Sequence, residues 1–132
     1  MTLGRHKRSD TQVAIKKMRK SFVSEAKFRK EIDILRQVGG KHNIIELREA
    51  FETPEEYVIV TEVASGGELF EHLIEYGTFN EKDACHVIQE AAVALQYLHS
   101  KGIVHADIKP ENFVVRSFIV RSILNNNLGI AY

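Results

Sequence analysis

A polar stretch late in the chain, His105-Ala106-Asp107-Ile108-Lys109-Pro110-Glu111-Asn112, is enclosed by two short apolar runs, Ile103-Val104 and Phe113-Val114-Val115. Apolar, β-rich runs on either side of such a stretch read as strands bracketing an ordered loop. The strands fix the loop backbone, so Asp107, Lys109 and Asn112 can be aimed into one cleft. That set of groups suits phosphoryl transfer. A carboxylate orients an attacking hydroxyl and accepts its proton, an ammonium neutralises charge on the moving group, and an amide oxygen holds a metal ion. A merely solvated turn has no need of Pro110 at a fixed place among these charges.

A second pattern lies near the N-terminus. Thr11 to Ile15 is a β-rich run after the turn-like Arg8-Ser9-Asp10, and it leads into Lys16 and Lys17, read as a solvated flank. From Ser24 to Val38 the apolar residues Phe28, Ile32, Leu35 and Val38 line one helix face, and Gly39-Gly40 is a stop signal. A strand lysine facing a cleft needs a carboxylate to hold it and keep it charged, which Glu31 on this helix can supply. Taken alone the pair decides nothing, since strands ending in lysine are common and Glu31 could be any exposed helix residue.

Between the two patterns, Ile44 to Phe51 and Tyr57 to Val63 read as hairpin strands joined by the five-residue loop 52–56. Gly66-Gly67 punctuates, and a short helix is expected over about 68–76. The longest regular segment runs from Asn80, a suitable N-cap with Glu81 and Asp83 in the first turn, to His99. Val87, Ile88, Ala91, Leu95 and Leu98 form its apolar stripe, and Gly102 is placed to close it. Beyond Arg116 the pattern changes: Val115-Arg116-Ser117 recurs as Val120-Arg121-Ser122, and Asn125-Asn126-Asn127 follows.

Composition excludes several classes. At 44% hydrophobic and 27% charged residues the chain is folded rather than disordered. No apolar run of about 18 residues is present to span a membrane, and the basic, polar N-terminus lacks the apolar stretch of a secretory signal. A single cysteine, Cys85, makes neither an internal disulfide nor a thiolate zinc site, which fits a reducing, cytoplasmic setting. The net charge of zero hides a split: residues 1–41 hold twelve Lys or Arg against four Asp or Glu, and residues 42–132 hold six against fourteen. Such asymmetry fits a nucleic-acid patch, two lobes of opposite potential, or only a solvated helix face.

Together, Val13-Ala14-Ile15-Lys16, Glu31, the octet 105–112 and Gly66-Gly67-Glu68-Leu69-Phe70 resemble the eukaryotic protein kinase domain, in particular the calcium/calmodulin-dependent class of serine/threonine kinases. The resemblance implies an α+β, two-lobed fold. Residues 1–63 correspond to part of the small sheet lobe with one helix. Residues 64–115 correspond to the hinge end and the start of the helical lobe with its catalytic loop, and 116–132 to a divergent tail. It implies ATP and Mg²⁺ as cofactors, with Lys16 on the α and β phosphates, Glu31 as its partner, and Ala14 and Val114 on either side of the adenine. Thr61 matches the gatekeeper, Glu62, Val63 and Ala64 the hinge, and Glu68 a residue near the ribose and basic substrate side chains. Asp107 matches the catalytic base, Lys109 the γ-phosphate lysine and Asn112 a magnesium ligand. Leu35, Leu47 and His105 match members of the hydrophobic spine and are equally explained as plain core.

The same resemblance exposes departures. Lys16 lies too close to Met1 for a preceding glycine-rich loop, and the Asp-Phe-Gly expected after Asn112 has only Asn127-Leu128-Gly129 as a candidate, a second metal position without its charge. An Asn-rich tail can also match two letters by chance. Ala106 replaces the usual arginine, which in the family pairs with a phosphorylated activation loop. The expectation is therefore a domain truncated at both ends, a serine/threonine protein kinase acting on basic protein substrates when intact and inactive as this chain alone. A pseudokinase-like, non-catalytic protein-binding module is the alternative. Neither nucleic acid nor a membrane is expected as a partner, and calcium/calmodulin regulation rests on the class resemblance only.

Overall fold

The computed structural model describes residues 2–116, 119–122 and 129–130. The first half forms a four-stranded antiparallel sheet in the order β1-β2-β4-β3: β1 (Thr2–Arg5), β2 (Gln12–Arg19), β3 (Leu47–Glu52) and β4 (Glu56–Glu62). Strand β1 has no signal in the sequence: four residues of which one is Gly4 carry little alternation, and pairing with β2, Thr2 opposite Ile15, holds them extended. The second strand also runs through both lysines to Arg19, because partners on β4 continue from Glu62 opposite Val13 to Glu56 opposite Arg19.

Alternation along β2 and β4 sorts the side chains. Ala14, Lys16 and Met18 share the face that also presents Tyr57, Ile59 and Thr61, while Val13, Ile15, Val58 and Val60 take the other. Helix α1 (Glu25–Val38) covers the first face with Phe28, Ile32, Leu35 and Val38, all buried, as its spacing predicts. Ser24 caps it by accepting from the Lys27 amide at 3.4 Å, and Phe28 stacks on Tyr57 with ring centres 4.3 Å apart. Ile44 and Ile45 lie outside β3, buried in the turn that leads into it.

Two helices follow, α2 (Leu69–Tyr76) and α3 (Glu81–Ser100). Asn80 caps α3 through a 2.8 Å bond from the Asp83 amide, and Gly102 follows it at φ 71°, as expected. Within α3 only Ala94 and Leu98 are fully buried, and Ile88, expected on the apolar stripe, is 68% exposed. Leu98 and Ile103 join the core built by α1 and the sheet, so one hydrophobic cluster runs through both halves.

Strand β5 (Ile103–Val104) enters the polar loop, whose last part is the 3-10 turn Pro110–Asn112, and β6 (Phe113–Arg116) leaves it. Strand β6 pairs with β7 (Ile119–Ser122), so the two Val-Arg copies lie on facing strands with Val115 opposite Val120. Strand β5 pairs with β8 (Gly129–Ile130), Val104 opposite Gly129. Among the described residues no helix is long and apolar enough to cross a membrane.

Candidate active site

A cleft of about 310 Å³ opens where the inner face of the sheet, α1 and the linker 63–68 meet. Every nucleotide residue expected from the sequence lines it: Ala14, Lys16, Glu31, Glu62, Ala64, Glu68 and Val114, with Thr61 and Leu35. Thr2 and Leu3 of β1 line it too.

Lys16 lies between Ala14 and Met18 on the inner face of β2, which aims its ammonium at α1. Its Nζ is 2.6 Å from Glu31 Oε1, and the lysine side chain keeps 27% exposure where the Glu31 side chain keeps 1%. Lys16 is thus a half-buried cleft residue rather than a solvated flank. Burial pushes the Glu31 carboxyl above its ordinary range, opposed by the charge and hydrogen bond of Lys16. Glu31 Oε2 is buried and has no hydrogen-bond partner among the described residues. A carboxylate held this way fixes the lysine while leaving its cation facing the cleft, where a polyphosphate can take it.

The linker is tied directly to the strand after the polar loop. Gly66 N donates to Val115 O and Val115 N to Gly67 O, each at 2.8 Å, and Glu68 bridges to Val114. This close approach explains the glycine: a Cβ on Gly66 would stand 2.7 Å from the Val115 carbonyl oxygen, and Gly67 takes φ 71°. Glu62 is buried, and its carboxylate accepts from the Glu46 amide at 3.0 Å while its own amide donates to Glu46 O. Its side chain therefore braces the sheet beside the cleft that Glu62 also lines.

In the polar loop, Lys109 Nζ stands 3.2 Å from Asp107 Oδ2. Asn112 Nδ2 donates to the same oxygen at 2.9 Å and to the Asp107 carbonyl at 2.7 Å. The 3-10 turn begun by Pro110 brings Asn112 back over Asp107, and His105, 2% exposed, anchors the loop in the core. The three residues named from the sequence are thus gathered around one carboxylate. With Nδ2 committed to Asp107, the Asn112 amide oxygen is the atom left to meet a cation. Among the described residues no group of three or more His, Cys, Asp or Glu could hold a metal ion. Asn127 lies outside the described residues.

One contact had no sequence signal. Asn43, at φ 64°, donates through Nδ2 to Glu90 Oε2 at 2.8 Å and Glu90 O at 3.1 Å, and the His42 ring packs tilted by 34° against Tyr97 with ring centres 4.3 Å apart. This clamp joins the turn after α1 to α3.

Residues 1–123 match the family model described as protein kinase domain. The chain is 42% identical over 114 residues to a probable myosin light chain kinase of Dictyostelium discoideum, an alignment covering 84% of this chain and 29% of that protein. It is 41% identical over 118 residues to myosin light chain kinase A of the same organism, covering 87% and 40%. With human calcium/calmodulin-dependent protein kinase type IV it shares 43% over 98 residues, covering 74% and 20%. The chain thus spans well under half the length of these relatives.

Proposed function

The chain belongs to the protein kinase domain family, and from that premise we propose that it carries the nucleotide-holding and phosphoryl-transfer residues of a serine/threonine kinase. The observation that supports this most is the pairing of two independent constellations, Lys16 with Glu31 at 2.6 Å in the cleft and Asp107 with Lys109 and Asn112 in the loop. Val114, two residues past Asn112, lines the same cleft and links them.

In this reading the apolar walls at Ala14 and Val114 receive the adenine, the linker backbone at Glu62 and Ala64 meets its edge, and Lys16 receives the phosphates. Asp107 orients a Ser or Thr hydroxyl and accepts its proton as the oxygen bonds to the γ-phosphorus and ADP leaves. Lys109 offsets charge on the transferring group. Asn112 would hold Mg²⁺, which supplies charge neutralisation at the phosphates when bound. Glu68 and Glu71 at the cleft mouth favour basic peptides. Calcium/calmodulin dependence comes from the relative that bears that name and would show as stimulation by calcium-loaded calmodulin.

The chain by itself is expected to bind nucleotide without efficient transfer, since Asn127-Leu128-Gly129, the nearest candidate for the family's metal-binding Asp-Phe-Gly, carries no charge at Asn127. Calorimetric titration with ATP and a radiolabel assay on a basic serine peptide test both halves. Binding lost in Lys16→Met supports the nucleotide site. Robust phosphorylation abolished by Asp107→Ala would overturn the expectation of inactivity, and absence of any nucleotide binding would sink the reading as a whole. The non-catalytic reading is favoured by one observation, the exposure of Ile74 and Ile88 on α2 and α3. A monomeric, soluble chain in sedimentation counts against it.

A further inference from the structure

The sheet has a helix on one face only, and its other face holds a groove of about 660 Å³ remote from the cleft. The floor is a small apolar cluster of Val13, Val58 and Val60, each no more than 6% exposed, with Ile15 beside it. It is separate from the main core. Strand β1 presses closely on this floor, for a Cβ on Gly4 would meet Ile15 Cδ1 at 2.6 Å.

Charges on the rim are segregated. The turn between β1 and β2 brings Arg5, Lys7 and Arg8 to the groove, while β3 and the start of β4 bring Glu49 and Glu56. Arg5 is taken by Asp10 at 3.2 Å, and Lys17 approaches Glu56 at 4.0 Å. Lys7 and Arg8 are exposed and form no ion pair among the described residues. A membrane surface or a nucleic-acid backbone presents anions throughout and would meet the two glutamates unfavourably. A peptide can carry negative charge at one end and apolar residues at the other.

We propose that this groove docks an extended segment of a protein partner, in which acidic residues seat on Lys7 and Arg8 and the following aliphatic residues lie over Val13, Val58 and Val60. The floor is about four strand residues long, roughly 13 Å, which accommodates about four residues of extended peptide. The charges select the register, and half-buried Ile15 and exposed Phe51 beside the floor supply the apolar area a peptide can still cover.

The test uses the whole chain and a fluorescein-labelled peptide in which aspartates precede isoleucine, valine and leucine. Saturable anisotropy is expected, with methyl NMR shifts confined to Val13, Ile15, Val58 and Val60. The double variant Lys7→Glu/Arg8→Glu should weaken binding about tenfold, and Lys82→Glu on α3 should leave it unchanged. No saturable binding, shifts elsewhere, or full binding by the double variant would overturn the proposal. Tighter capture of phosphatidylserine vesicles or duplex DNA, lost in that variant, would overturn it in favour of a polyanion surface.

Discussion

Lys16 and Glu31 form an ion pair whose two ends see different surroundings: the ammonium looks into the cleft and the carboxylate is sealed in the core. Removing the lysine strands a buried charge, whereas removing both leaves an uncharged contact. Lys16→Met is therefore expected to lower stability by about 1–3 kcal/mol, and Lys16→Met/Glu31→Gln to recover most of that loss without recovering nucleotide binding. Urea unfolding and calorimetric titration of the same variants check it.

The raised Glu31 pKa carries a sign. A carboxyl that holds its proton more tightly folded than unfolded stabilises the fold below its unfolded pKa, and that contribution is lost as pH rises through the folded value. Glu31→Gln, which mimics the protonated form, should therefore gain relative to wild type as pH rises from the acid range through that value, and the difference should level off above it. Denaturant midpoints measured across that range read it out; a gap that widened toward acid would reverse the assignment.

Gly66→Ala places a methyl against the Val115 carbonyl in the bonded linker. A loss of about 1–3 kcal/mol is expected from this overpacking, with weaker nucleotide binding, because Glu68 and Val114 are held by the same ladder.

Asn43→Ala removes both bonds to Glu90 and leaves a left-handed backbone without its favoured residue. A cost of about 1–2 kcal/mol is expected. Asn43→Gly keeps the backbone comfortable and isolates the bonds, so thermal unfolding of the two variants separates strain from clamp.

If Asn127 takes the second metal position, Asn127→Asp should raise the strengthening of nucleotide binding by Mg²⁺ about tenfold, because a carboxylate supplies the charge an amide lacks. Titrations with ATP, with and without Mg²⁺, decide it.

Local patterns were legible wherever one residue's role followed from its neighbours. Phe28, Ile32, Leu35 and Val38 define a helix face by spacing alone, and Asp107, Lys109 and Asn112 are confined by the strands around them. Contacts between distant segments were not. Nothing local to Thr2–Arg5 marks it as a strand, since β2 supplies its pairing. Ile88 fits the helical period yet stands exposed, because periodicity gives a direction and not what lies there. Gly66 and Gly67 could be read as punctuation, but their need arises from Val115, far along the chain. The Glu62 carboxylate, bound to Glu46, is a similar case.

The ladder between Gly67 and Val115 also bears on the order of folding. It closes a loop of roughly 50 residues, with an entropic cost about 2 kcal/mol above that of a tight hairpin such as the one joining β3 to β4. The hairpins and α1 are therefore expected to form first, and the ladder to close after the rate-limiting step. Substitutions at Gly66 should then accelerate unfolding while leaving the refolding rate nearly unchanged.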